Sequence, residues 1–272
     1  MIKPAPILPV RLLLAAALAG LPVMAPPAMA QGSEVTQPAM HSAWTRLLGK
    51  YVVAGADGVN RVDYAALKAS PADRTALDAY IGSFATMDLS GTGPAEFAAW
   101  ANLYNAVTVR YIVQNYPLGS IRDGYLFGGP WKKISVIAGG RTVSLDAIEH
   151  DILRPRFADP RVHYAINCAA WSCPNLQPRA WEAATLDVDL NSAARAYINH
   201  PRGITVTDTS ITVSRIYDWF ETDFGGSKQA VLDHILTYAD NALAAKIRAN
   251  PHIRRYEYNW SLNDTQKAPA AP

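Results

Sequence analysis

GPAEFAAWANLYNAVTVRYIVQNYPLG, residues 93–119, decides the fold of this chain. Phe97, Trp100, Tyr104, Val107 and Tyr111 recur at spacings of three and four, the period of a helix. Pro94 suits a first helical position, and Pro117 closes the pattern. The remaining sides carry Ala98, Ala101, Val109, Ile112 and Val113, leaving a narrow polar edge at Arg110 and Gln114. A helix apolar nearly all round is a buried one. Asn102 and Asn105, one turn apart, share their sides with Val113 and Ile112, so both amides are expected inside. Each buried amide needs partners, or roughly 1 to 3 kcal/mol is lost per unsatisfied group. A structural hydrogen-bond network is the first reading of the pair, and a site role is the alternative.

The chain downstream of this helix alternates hairpins and helices. Val136–Val143, with Gly139-Gly140 between the arms, reads as a β-hairpin. Ser144 is a fair N-cap for a short helix ending before Pro155. On that helix Leu145, Ile148 and Ile152 form the apolar face, and Glu149 falls on its edge while His150 lies further round. An acid on a core-facing stripe needs a partner, and Arg122, Arg141, Arg154 or the Asn pair could serve, as an ion pair or within a site. Residues 203–214, GITVTDTSITVS, alternate as a hairpin. SRIYDWFETDFGG, residues 214–226, reads as a capped helix closed by Gly225. Lys228 to Ala249 is amphipathic as one helix, and Arg255 to Leu262 is expected as a late strand.

VHYAINCAAWSCPNL, residues 162–176, holds both cysteines of the chain. Val162, Tyr164 and Ile166 alternate with His163, Ala165 and Asn167, as on a strand with two differently packed faces. In an unbroken strand His163 and Cys168 point to opposite faces, roughly 16 Å apart at about 3.3 Å per residue. They cannot then form a hydrogen-bonded nucleophile and base. His150 becomes the better base for Cys168. A Cys168–Cys173 disulfide, a free functional thiol and a buried inert pair all remain open. A zinc site from Cys168, Cys173, His163 and His150 lacks the compact spacing of structural zinc motifs, so no metal or cofactor is expected.

The chain opens MIKPAPILPVRLLLAAALAGLPVMAPPAMAQGSE. Lys3 and Arg11, the apolar run Leu12–Leu21 and the Ala28-Met29-Ala30 site read as a signal peptide over residues 1–30. An extracytoplasmic location follows, periplasmic or secreted. The whole chain has 25 basic and 23 acidic residues, and the two basic residues of the leader account for that excess. The balanced remainder has no basic run interleaved with aromatics, which argues against a nucleic-acid partner. No later stretch is long and apolar enough for a membrane span. Residues 31–43 and 264–272 are expected as unstructured ends. Residues 44–263 are expected as one α+β domain, with helices flanking a mainly antiparallel sheet.

AWANLYNAVTVRYIVQNYP, SIRDG, PWKKISV, SLDAIEHDILRP, DPRVHYAINCAAWSCPNL and YEYNWSLND, in this order, resemble the domain of unknown function 547 family, as an exported bacterial-type member. The resemblance covers roughly residues 45 to 263. It implies no assigned activity. A buried helix followed by strands carrying His resembles the order in papain-like and transglutaminase-like folds, by analogy only. There the helix start bears the nucleophilic cysteine, and here it bears none. Two functions are compatible with these residues. In the first, a thiol-dependent hydrolase or acyl-transfer enzyme uses Cys168 as nucleophile and His150 or His163 as base. Glu149 orients the imidazole, and Asn102 or Asn105 donates to an oxyanion. In the second, a non-catalytic envelope domain with a structural Cys168–Cys173 disulfide grips a small-molecule or peptide ligand.

Overall fold

In the computed structural model, residues 37–207 and 210–266 are described, and they fall in one compact unit. The expected signal peptide and the last six residues lie outside them. Helix α1 (Gln37–Tyr51) begins inside the segment expected to be unstructured. His41, Trp44, Leu48 and Tyr51 recur at helical spacing and are all buried. A short hairpin, β1 (Val52–Ala54) and β2 (Asn60–Val62), pairs Val52 with Val62. Helices α2 (Tyr64–Ala69) and α3 (Pro71–Gly82) follow, capped by Asp63 and Ser70. Each cap side chain accepts a backbone N–H that the first turn cannot satisfy by itself.

Helix α4 (Pro94–Asn115) confirms the opening stretch, with Pro94 in its first turn. Glu96 Oε2 accepts from the backbone N–H of Gly93 at 3.2 Å, satisfying one donor at the helix start. Residues 97–109 of α4 are buried without exception, so the helix is the axis on which the others pack. Helices α1, α2 and α3 cover one side of it.

Strands β3 (Ser135–Ala138) and β4 (Arg141–Ser144) form the expected hairpin around Gly139-Gly140. The helix after it does not stop before Pro155. It runs from α5 (Leu145–Ala147) through a π-turn (Ile148–Leu153) into α6 (Arg154–Phe157). Pro155 has no N–H to give, and its ring crowds the carbonyl four residues back. Widening the preceding turn relieves that crowding and lets the helix continue. Ala158, at φ 49°, ends it.

Residues 162–165 are the clearest departure from the expected pattern: α7 (Val162–Ala165) is a helical turn, not a strand. It grows from the Asp159-Pro160-Arg161 turn, where His163 N–H donates to Pro160 O at 3.2 Å. Residues 162–167 are buried on every side, so alternation along them carries no information about faces. Helix α8 (Leu186–Ile198) packs on α7.

Strands β5 (Ile204–Val206) and β6 (Ile211–Ser214) form the second expected hairpin. Helix α9 (Ile216–Trp219) and a 3₁₀ turn (Glu221–Phe224) end at Gly225, which takes φ 101°. The long amphipathic segment is two helices, α10 (Lys228–Tyr238) and α11 (Asn241–Ala249). Asp240 breaks it by capping Leu243 N–H at 2.8 Å. Strand β7 (Ile253–Glu257) adds parallel to β6, starting and ending earlier than the aromatic alternation suggested. The three sheets are small and separate, so this is an α+β fold whose helices dominate.

The described part of the closing segment packs back on the domain. Leu262 and Asn263 N–H donate to Gly119 and Ala169 carbonyls at 2.8 and 3.0 Å. Asp264, expected in a loose tail, is fully buried and accepts from Tyr116 Oη at 2.7 Å.

Candidate functional site

A cavity of about 760 Å³ opens between α4, the π-turn, α7, α9 and the closing segment. That volume falls within the range of small-molecule sites. Trp131, Trp219, Phe220, Tyr258 and Trp260 make much of its wall. Trp219, Tyr258 and Trp260 pack ring to ring at 4.7 to 5.5 Å. Arg122 lies over the Trp260 ring at 4.9 Å, and Lys132 and Lys133 also line the cavity. Gly129 holds φ 100°, and a Cβ there would strike the Trp131 ring.

The π-turn sets Glu149 inward and leaves His150 at the surface side. Glu149 Oε2 accepts from Tyr104 Oη at 3.1 Å, and Trp131 Nε1 donates to that same hydroxyl at 3.1 Å. Burial pushes the Glu149 carboxyl up to about 7, with the Tyr104 bond working against it. Near neutral pH the protonated form of this acid is therefore populated.

His163 is buried and stacks on Phe220 at 4.1 Å. Its Nε2 lies 2.7 Å from Asp223 Oδ2. Arg154 grips both Asp223 oxygens, at 2.5 and 2.9 Å. Burial opposes the charge on Asp223, but the bonds from His163 and Arg154 outweigh it and hold the carboxyl well below its ordinary range. An ionised carboxylate only accepts, so His163 Nε2 carries the proton and Nδ1 keeps its lone pair. Burial keeps the ring neutral, lowering its pKa despite Asp223. His150 is differently placed. Its Nδ1 accepts from Arg154 Nη1 at 2.8 Å, so its proton sits on Nε2 and neither nitrogen has a lone pair to spare. Burial lowers its pKa too.

Cys168 and Cys173 are joined in a disulfide, and among the described residues no cysteine is free. Ala169 takes φ 61° in the bridged loop, and Cys173 N–H closes a turn on Ala170 O at 3.0 Å. Cys173 is buried while Cys168 is partly exposed, and both line the cavity. Disulfide sulfurs carry no hydrogen, so the single Tyr258 Oη proton is shared between them, with Oη 3.2 Å from Cys168 Sγ and 3.1 Å from Cys173 Sγ. The backbone N–H of Cys168 donates to Cys173 Sγ at 3.1 Å.

Of the residues singled out in the sequence, Glu149, His150, His163 and Cys168 meet at this cavity. Asn102 and Asn105 do not line it. Asn102 exchanges two bonds with the backbone of Trp181, at 2.9 and 3.0 Å. Asn105 donates to Ala165 O at 2.9 Å and accepts from Asn167 N–H at 2.8 Å. Both amides are buried clamps, and Asn105 fixes the segment leading into Cys168. The helical turn α7 also shortens the path from His163 to Cys168 relative to the roughly 16 Å of an extended strand. Asp223, rather than Glu149, orients the imidazole. With the sulfurs bonded to each other, the four-residue zinc reading has no thiolates, and among the described residues no cluster of three His, Cys, Asp or Glu could hold a metal. Sequence reasoning missed Asp223, Tyr104 and Tyr258 as site residues, and offered Arg154 as a partner for Glu149 rather than for Asp223. The aromatic run at 256, 258 and 260 was the available signal, since two of its three rings wall the cavity.

Residues 90–198 match the family model described as Protein of unknown function, DUF547. The match supports the resemblance read from the sequence blocks. It includes Glu149, His163 and the disulfide, while Asp223, Tyr258 and Trp260 lie beyond it. No curated protein and no solved structure matches the chain. Among the described residues no helix is long and apolar enough to cross a membrane.

Proposed function

We propose that this is an exported ligand-binding protein whose cavity takes a small molecule or peptide with an aromatic or apolar body and an anionic end. The observation that carries the reading is the cavity wall: aromatic rings with Arg122, Lys132 and Lys133 among them. Aromatic faces supply apolar contact area and stack on flat groups, and the cations select the charge. Asp146 and the partly protonated Glu149 are the acids that share this space.

The probe that tests it is 8-anilinonaphthalene-1-sulfonate, which has both features. Titration into the oxidised protein is expected to show one saturable site with energy transfer from tryptophan, weakened by Trp260→Ala. Diffuse, unsaturable uptake, or binding indifferent to that substitution, would remove the reading.

Export rests on the basic start, apolar run and Ala-Met-Ala site of residues 1–30. Mass spectrometry of the protein from its native compartment is expected to find Gln31 at the N-terminus, and a retained Met1 there would contradict it.

A second reading, a thiol-dependent hydrolase or acyl-transfer enzyme, is favoured by the presence of Cys168 and His163 on one cavity, with Asp223 bonded to the imidazole. It requires a reduced Cys168. Thiol titration of the isolated protein separates the two, because a closed disulfide leaves no nucleophile.

A further inference from the structure

The two sulfurs of the cavity disulfide are unequal. Cys168 is partly exposed, and Cys173 is 2% exposed. Cys173 Sγ accepts from Cys168 N–H at 3.1 Å and shares the single Tyr258 Oη proton, also at 3.1 Å. Cys168 Sγ has only its share of that Tyr258 proton, at 3.2 Å. Thiol–disulfide exchange is fastest when the attacked sulfur is accessible and the departing sulfur is stabilised as a thiolate. Donors aimed at Cys173 Sγ provide that stabilisation, since hydrogen bonds to a charged group are stronger than those to a neutral one.

We propose that the Cys168–Cys173 disulfide is a thiol–disulfide exchange site, attacked at Cys168 Sγ by a small anionic thiol entering the cavity, with Cys173 as the leaving sulfur. The inference rests on the ligand reading only in that the thiol enters by the same cavity. In the first step the thiolate forms a bond to Cys168 Sγ, the Cys168–Cys173 bond breaks, and its electron pair leaves on Cys173. In the second step another thiolate attacks the small-molecule sulfur of the mixed disulfide and releases Cys168. Two small thiols are oxidised to their disulfide, the protein disulfide is reduced by two electrons, and the two thiol protons end on Cys168 and Cys173. Tyr258 remains a donor throughout, because burial raises its pKa well above the ordinary value. Arg122, Lys132 and Lys133 on the same wall favour a carboxylate-bearing thiol over a cationic one, with Asp146 and Glu149 the opposing acids.

The test is the reduction of the oxidised protein by 3-mercaptopropionate and by cysteamine. Rates are corrected for thiolate fraction and compared with those of bis(2-hydroxyethyl) disulfide. Alkylation with iodoacetamide during the reaction traps the intermediate for peptide mapping. The expected result is exchange faster than with the reference disulfide, a preference for mercaptopropionate, mercaptopropionate on Cys168 and the alkyl group on Cys173. Tyr258→Phe is expected to slow the first step about fivefold to tenfold, the loss of one hydrogen bond to a developing thiolate. The wild-type adduct position decides the matter even if that variant folds poorly. Exchange no faster than the reference, or adducts on Cys173, overturns the inference, even in a protein that still binds the anilinonaphthalene probe. Selective exchange at Cys168 in a protein that does not bind the probe keeps the exchange site and removes the ligand reading.

Discussion

Glu149 is a carboxyl held where its ordinary charge is disfavoured. Its carboxyl has an ordinary pKa of 4.5 and a folded value of about 7. Between those values the folded chain holds a proton that the unfolded chain has released, so the contribution to stability falls as pH rises through that window. Above it, a buried charge is retained at full cost. Glu149→Gln keeps an acceptor for Tyr104 and removes the titration. Relative to wild type, the variant is expected to gain roughly 3 kcal/mol between about pH 4.5 and pH 8, at about 1.4 kcal/mol per pKa unit. Urea midpoints at the two pH values measure this, and a pH-independent difference would mean that Glu149 is ionised in the fold. The sequence made Glu149 conspicuous as an acid on an apolar face. It could not show that the partner is a tyrosine one helix away rather than an arginine.

At the scale of elements, α4 was legible from its period and its prolines, and its two asparagines were rightly placed inside. The β3–β4 and β5–β6 hairpins were legible because glycines or small polar residues interrupt alternating runs, whereas the short β1–β2 hairpin was not read. The helical turn α7 was not, because a segment buried all round has no polar face to mark its period. The helix across Pro155 was missed for a different reason. A proline signals a stop, yet a π-turn can absorb it. Asn105 joins these elements, its amide spanning α4 to the backbone on both sides of Ile166. Asn105→Leu strands Asn167 N–H and leaves Ala165 O with the Trp181 Nε1 bond alone, and is expected to destabilise by roughly 1 to 3 kcal/mol. Arg110→Ala on the same helix removes an ion pair of 3.9 Å with an exposed Asp78, and should cost under about 1 kcal/mol. Denaturant midpoints compare the two. Similar losses would mean that Asn105 is not the buried clamp described.

For the whole molecule, the cavity assembles residues as far apart in sequence as Tyr104, His163 and Trp260. No local spacing encodes such a site, which is why the cluster at 149–173 was visible in the sequence and its partners were not. The seven tryptophans provide a direct test. Trp131, Trp219 and Trp260 line the cavity, whereas Trp44, Trp100 and Trp181 are buried elsewhere and Trp171 lies outside it. In an ¹⁵N-labelled protein, the indole N–H resonances of the first three are expected to shift on saturation with 8-anilinonaphthalene-1-sulfonate, while the other four stay in place. Shifts at Trp171 or spread evenly over all seven, with the three cavity indoles no more affected than the rest, would contradict a ligand site here.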